Sequence, residues 1–199
     1  MDKTRKIGII NAAMKAFAAK DYHKVSTNDI VKEAGVSKGL LFHYFSSKES
    51  LLLHVYGAAL DVIFRETLDM FDDTEDDLFE RLKALILLKR RAIKDNPLST
   101  ALIERVHAAK TGRIAEERRK IFLKYNKRGL EHVYARFDRS PFKQKDAVDE
   151  AFNVASWSFR RIEIEWAQTH RHKSFEEAFK ILEHELGHYA EFFKTHFYA

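Results

Sequence analysis

Apolar residues recur along most of the chain at three- and four-residue steps, the period of a helix with one buried face. Ile7, Ile10, Met14 and Phe17 set the first such stripe over residues 3–20, and Ala12, Ala13, Ala16, Ala18 and Ala19 between them favour helix. A loop over Asp21–Val25 follows. Ser26-Thr27-Asn28-Asp29 then offers a helix start with capping-box spacing. Ile30, Val31 and Ala34 are the apolar positions of this short helix, and Gly35 suits the left-handed residue that ends one. Ser37 can cap a second short helix from Lys38 to about Tyr44. Ser46-Ser47-Lys48-Glu49 repeats the capping-box spacing and opens a long helix, whose broad apolar face holds Leu51, Leu52, Val55, Ala58, Ala59, Val62 and Ile63.

That helix is expected to end before the acidic run Asp72-Asp73-Thr74-Glu75-Asp76-Asp77, whose carboxylates complement the positive end of the next helix, Leu78–Lys94. Asn96-Pro97 stops it, and Pro97 fits the first turn of another helix that reaches about Ala109. Thr111-Gly112 separates this from a helix near residues 113–137, and Ser140-Pro141 breaks the chain again. Two long helices, 144–169 and 174–197, finish it, joined by His170-Arg171-His172-Lys173. No period-two alternation, repeat or low-complexity segment competes, so the chain reads as all-α.

Composition narrows the function. The 199 residues are 45% hydrophobic and 33% charged, enough for a real core and unlike a disordered chain. With no cysteine, disulfides, thiolate metal sites and a cysteine nucleophile are excluded. No apolar run approaches the roughly 20 residues that span a bilayer. The charged N-terminal segment is interrupted by Asn11 and Lys15 rather than running into a secretory core, so a cytoplasmic protein without a membrane partner is expected. The net charge is +5, and residues 1–50 hold nine basic and five acidic side chains, which is most of the excess. A basic N-terminal segment on a nearly neutral remainder suits a polyanion-binding head.

The informative stretch is TNDIVKEAGVSKGLLFHYFSSKESLL, Thr27 to Leu52. A short helix with an apolar inner face leads through the glycine turn Ala34-Gly35-Val36-Ser37 into a second helix, the sequence form of a helix-turn-helix. Val36, Leu41 and Phe45 can pin the second helix, leaving Ser37, Lys38, Gly39, Phe42, His43 and Tyr44 on its other face. These small, basic, aromatic and hydrogen-bonding groups suit phosphates, base edges and thymine methyls. Gly39 allows close backbone approach to a phosphate. Lys48 stands at the start of the long helix, where free N–H groups favour an anion.

These residues resemble the DNA-binding head of the TetR/AcrR family of bacterial transcriptional regulators. The resemblance is carried by Thr27-x-x-Ile30, Ala34-Gly35-Val36-Ser37-Lys38-Gly39, Phe42-His43-Tyr44-Phe45 and Lys48-Glu49-x-Leu51-Leu52, with Ala12-Ala13, Phe17 and Tyr22 upstream. It covers about residues 7–55; the remainder agrees in length and helical character. It implies an all-α fold with a three-helix helix-turn-helix domain, residues 1–48, and a larger effector-binding and dimerisation domain, residues 49–199. It also implies that Thr27 touches a phosphate, that Ser37, Lys38 and Gly39 meet backbone or bases, that His43 and Tyr44 contact phosphates or bases, and that Lys48 holds a phosphate. Phe42 stands where many relatives have Tyr, so a thymine-methyl contact replaces a hydrogen bond, and Leu40 reads a methyl group. The implied protein is a homodimer joined through its last two helices, most often a repressor, released from a palindromic double-stranded DNA operator by a small apolar or amphipathic effector. No cofactor, metal or catalytic residue is expected.

Three other features remain. His184-Glu185-Leu186-Gly187-His188 fits H-E-x-x-H, which can place two zinc ligands and a glutamate base on one helix face. The extended form of that motif needs glycine and histidine where Glu191 and Lys194 stand. A zinc hydrolase is thus one alternative, and a helix-turn-helix regulator without a small-molecule effector is another. Phe64, Phe71, Phe79, His107, Phe122, Tyr125, Tyr134, Trp157, Phe159 and Trp166 could line an effector cavity, or form plain core. Arg105, Arg160, Arg161, Glu163 and Glu165 read as surface or interface charges.

Overall fold

A computed structural model describes residues 2–108 and 112–199; the expected helix end at Ala109 and the linker residue Thr111 lie outside them. The helices are α1 (Asp2–Ala19), α2 (Thr27–Ala34), α3 (Lys38–Tyr44), α4 (Lys48–Asp69), α5 (Leu78–Asp95), α6 (Pro97–His107), α7 (Arg113–Ala135), α8 (Val148–Thr169) and α9 (Phe175–Phe197). Short 3-10 turns occupy Tyr22–Lys24 and Lys145–Ala147. Among the described residues the sole β pairing is an isolated bridge between Phe142 and Tyr198, and no helix is long and apolar enough to cross a membrane.

Boundaries depart from expectation where tertiary bonds intervene. α7 ends at Ala135 rather than 137, and residues 144–147 precede α8 instead of belonging to it. There Lys143 N–H donates to Phe197 O (2.9 Å) and Ala199 N–H to Pro141 O (2.7 Å), which draws the segment into an extended bridge. At α4 the capping residue is Ser47, whose Oγ accepts from Ser50 N at 3.0 Å, rather than Ser46. The acidic run behaves as expected: Asp77 Oδ1 accepts from Phe79 N (2.9 Å) and Glu80 N (3.0 Å), satisfying free donors of α5.

The chain packs as two compact units, Met1–Arg65 with Ala92–Asn126, and Glu66–Arg91 with Lys127–Ala199. The first has a core of Ile9, Ala13, Phe17, Ile30, Leu41, Phe45, Leu51, Val55, Tyr56 and Leu102. Arg105 is exposed, as expected, and also structural: its Nε donates to Ala18 O (3.0 Å) and its Nη1 to Asp21 Oδ1 (2.9 Å), so α6 caps the end of α1.

The second unit buries Phe71, Leu78, Phe79, Leu82, Val133, Phe159, Trp166, Leu182, Leu186 and Phe193. It also buries two charges. Arg81, wholly inaccessible, donates to Val133 O (3.1 Å), Glu75 O (2.7 Å) and His132 O (3.2 Å), and its guanidinium lies 4.8 Å from the Phe71 ring. Glu163 is also buried, against the expectation of a surface or interface charge. Its carboxylate meets Lys89 Nζ and Arg90 Nε, each at 2.7 Å, and the same Arg90 lies over Trp166. The reason is position: Glu163 falls four residues after Phe159 and three before Trp166, inside the buried stripe of α8. Trp157 lies off that stripe and is 70% exposed, so it lines no cavity in this chain. Arg160, Arg161 and Glu165 are exposed, as expected.

Candidate nucleic-acid interface

Local chemistry sets the helix-turn-helix. Ser26 Oγ accepts from Asn28 N at 3.2 Å and starts α2. Gly35 ends it in the left-handed conformation, φ 64°, ψ 35°. Its N–H reaches Lys32 O (3.3 Å) while Val36 N–H reaches Val31 O (3.0 Å), the paired bonds of a Schellman end. A β-carbon at Gly35 would meet nothing within 4 Å, so the backbone angle, not crowding, demands glycine. Ser37 Oγ then accepts from Leu40 N at 3.2 Å and starts α3. Buried Ile30, Leu41 and Phe45 hold the pair of helices on the core of the first unit.

This anchoring decides what α3 presents. Ser37, Lys38, Gly39, Phe42 and His43 are exposed, and Leu40 is half-buried. Phe42 leaves 37% of its surface in solvent, a ring held out by neighbours that face inward. Gly39 has internal room: a β-carbon there would touch Ser37 Oγ alone, at 3.9 Å, so nothing within the chain requires its smallness. Thr27 is half-buried in the first turn of α2.

Tyr44 and Lys48 are placed differently from the exposed set. Tyr44 is half-buried with its ring edge-on to His43, and Lys6 Nζ lies 5.9 Å from its centroid and 5.8 Å from that of Phe45. Lys48 lies 4.5 Å above the Tyr22 ring, and burial pulls its ammonium below the ordinary lysine value. Lys6 is a residue the sequence reading counted only as charge. Its contact joins positions 38 and 39 residues apart, which helix periodicity does not reveal. Lys15 likewise ties α1 to α2 through Glu33 at 3.1 Å.

Of the H-E-x-x-H residues, His184 and His188 are exposed on α9 and His188 contacts the Tyr189 ring. Among the described residues, no group of three or more His, Asp or Glu is arranged to hold a metal ion.

Comparison with known proteins agrees with this geometry. The sequence model of bacterial regulatory proteins of the tetR family matches residues 9–55, which spans α1 to the first turns of α4. The chain is 42% identical over 62 residues to YuxN, an uncharacterized HTH-type transcriptional regulator of Bacillus subtilis; the match covers 31% of this chain and 21% of that protein. It is 27% identical over 143 residues to the HTH-type transcriptional repressor KstR2 of Mycobacterium tuberculosis, covering 68% of this chain and 71% of that one. A crystal structure of the transcriptional regulator FadR from Bacillus subtilis in complex with stearoyl-CoA shares the fold, with a TM-score of 0.63 and 15% identity over 91% of this chain and 97% of that one. The helix-turn-helix and the all-helical architecture define a DNA-binding transcriptional regulator. Residues 9–55 carry the DNA-binding segment of the tetR family of bacterial regulatory proteins.

Proposed function

We propose that the chain is a homodimeric repressor that binds a palindromic DNA operator and leaves it when a small amphipathic effector binds. Residues 1–48 serve as the DNA-binding head, and residues 49–199 hold effector and dimer contacts. The observation that carries this reading is the row Ser37, Lys38, Gly39, Phe42 and His43, exposed on a helix whose opposite side is locked into the core. Lys38 supplies salt-sensitive affinity. Phe42 and Leu40 offer apolar surface to thymine methyls, and Gly39 lets the α3 backbone approach a phosphate. Thr27, Tyr44 and Lys48 contact the DNA backbone from the flanks, Tyr44 and Lys48 being oriented by Lys6 and Tyr22. The reaction is binding, not catalysis, and it takes place in the cytoplasm, where bacterial DNA lies.

Dimerisation is read from α8 and α9. Val154, Trp157 and Ile164 on α8, and Tyr189 and Phe192 on α9, leave between 37% and 70% of their surfaces in solvent. Such apolar surface on the two terminal helices suits a second copy of the chain. An effector reading is supported by the fold shared with the stearoyl-CoA complex.

Selection from random duplex DNA tests the central claim, with wild type and Lys38→Ala/His43→Ala in parallel. Both replaced side chains are exposed, so the variant keeps its fold. A two-fold symmetric consensus enriched by wild type and not by the variant is the expected result. Absence of any consensus across several salt concentrations would refute the proposal.

A further inference from the structure

Ten histidines are spread along the chain, and one pair of them stands a single turn apart on one helix: His184 and His188 on α9. Others keep a ring nitrogen close to a polar partner. His107 Nε2 lies 2.8 Å from the Tyr56 hydroxyl, and His170 and His196 each set Nδ1 against the carbonyl four residues earlier, at 3.3 Å and 2.7 Å. His184 and His188 do not. Both are exposed, and the His188 ring meets Tyr189 edge-on at 5.7 Å between centroids. Neither makes a hydrogen bond or ion pair among the described residues.

Their spacing sets a geometry. Residues four apart on a helix lie about 40° apart around its axis and roughly 6 Å apart between β-carbons, so both side chains leave the same face. That face is the outer one, because Leu182, Leu186, Ala190 and Phe193 occupy the buried side of α9. Two imidazoles so placed can meet at one ion, about 2 Å from a nitrogen of each, the bond length of zinc to histidine. α9 is an unbroken helix from Phe175 to Phe197, so the two positions are held in register.

The electrostatic setting favours a cation. α9 carries five glutamates against two lysines, and one of those lysines, Lys194, is paired with Glu80 and Glu191. Among the described residues neither Glu185 nor any other carboxylate or histidine joins the pair in a group of three that could hold a metal. The chain therefore supplies two ligands, and water takes the remaining positions. Such a site is open and exchangeable, unlike the closed set of four protein ligands in a structural zinc site.

We propose that His184 and His188 bind a borderline divalent cation, of the class of Zn²⁺, Ni²⁺ and Cu²⁺, on the outer face of α9. The ion ties two successive turns of that helix together. Imidazole ligands select this class over the hard, oxygen-seeking Mg²⁺ and Ca²⁺. What the pair supports is metal binding, not hydrolysis. The site uses neither α3 nor an effector, so it stands or falls independently of the DNA-binding reading.

Calorimetric titration of the metal-free chain with ZnCl₂, NiCl₂ and MgCl₂ tests the site. One Zn²⁺ or Ni²⁺ per chain is expected, with no binding of Mg²⁺. His184→Ala and His188→Ala should each weaken Zn²⁺ binding by about tenfold or more, at least what the loss of an outer-shell partner costs. His172→Ala, at an exposed histidine outside the pair, should leave it unchanged. All three variants should keep the metal-free melting temperature of wild type, since each replaced ring is exposed. Zn²⁺ should raise the melting temperature of wild type by mass action and that of neither pair variant. Lys38→Ala, altered on α3, should bind Zn²⁺ as wild type does. Absence of stoichiometric binding, or affinity that survives in both pair variants, would overturn the proposal and leave adventitious binding only. Half an ion per chain would overturn the single-chain site by giving its open positions to a second copy.

Discussion

In the unit that contains α8 and α9, buried charge is fully answered: Arg81 spends its donors on three backbone carbonyls, and Glu163 sits between Lys89 and Arg90. In the unit that contains the helix-turn-helix, the buried Nε of Arg118 has no hydrogen-bond partner among the described residues, and buried Tyr56 pairs with His107 rather than with a charge. The difference teaches what each polar group is for. A charge buried with every partner in place locks one arrangement of helices, whereas a donor buried without one costs stability and leaves its surroundings less firmly fixed.

The largest effect belongs to the locked side. Glu163→Ala leaves Lys89 and Arg90 without the carboxylate that pairs with both, and a broken buried pair costs about 3–5 kcal/mol. The loss here should fall near 3 kcal/mol, because Lys89 keeps a third of its side chain in water. Urea denaturation measures it. Replacing Glu163, Lys89 and Arg90 together with apolar residues should recover most of the loss. A single-variant cost below 1 kcal/mol would mean that the triad does not hold the unit together.

The triad also marks the limit of what the sequence discloses. Helix spans were legible because their starts and stops are local: Gly35, Pro97 and the serine caps act within four residues. Pairing is not local. Lys89 and Glu163 are 74 residues apart, and Arg81 bonds carbonyls 51 and 52 residues away. One signal was nonetheless present, since Glu163 occupies a buried register between Phe159 and Trp166 while Glu165 does not. The exposed face of α3 was legible for the same reason that Glu163 could have been: Leu41 and Phe45 define the inner side, and the rest follows by periodicity. The resting places of Lys6 and Lys48 on aromatic rings belong to tertiary packing and carry no local mark.

A smaller loss is expected in the helix-turn-helix. Gly35→Ala forces a β-carbon into a left-handed backbone, which costs roughly 1–2 kcal/mol. Because that residue sets the entry of α3, DNA affinity should fall further than stability alone accounts for. Lys38→Ala is the counterpart. It should leave the melting curve within about 0.5 kcal/mol and reduce the slope of log affinity against log salt by about 1. If Lys38→Ala lowered stability as much as Gly35→Ala, α3 would be a packing element rather than a contact surface.

Acid separates the two units by window. Burial and then Arg118 lower His107, and burial and then Lys6 lower His54, so both favour the neutral ring when folded. Their stabilising effect is complete above pH 6.5 and is lost as pH falls from there through the lowered folded values. Glu163 runs later. Burial alone would raise it, but Lys89 and Arg90 outweigh burial and hold it below 4.5. Its contribution is complete above pH 4.5 and lost as pH falls through the folded value. Hydrogen exchange at pH 7.5 and pH 5.5 should therefore show faster opening around α4 and α6, with α8 unchanged. Equal acceleration in α8 would erase the distinction.

The smallest test compares two caps. Ser174 Oγ accepts from Glu177 N at 3.3 Å while Glu177 Oε2 accepts from Ser174 N at 3.1 Å, a complete capping box at the start of α9. Ser37 makes the single bond to Leu40 N at the start of α3. Alanine at either position should cost about 1 kcal/mol, with Ser174→Ala slightly the more harmful because Glu177 loses its partner too. Their functional consequences should diverge. Ser174 ends a helix joint remote in sequence from the helix-turn-helix, so its loss is a loss of stability alone. Ser37 is both the cap of α3 and an exposed group on its presenting face, so Ser37→Ala should weaken DNA binding at temperatures where the protein remains fully folded. Ser37→Asp preserves the cap but places a negative charge where the phosphate backbone is proposed to lie. It should keep the melting temperature of wild type and bind DNA less well than Ser37→Ala. If Ser37→Asp bound DNA as wild type does, the start of α3 would not face the phosphates.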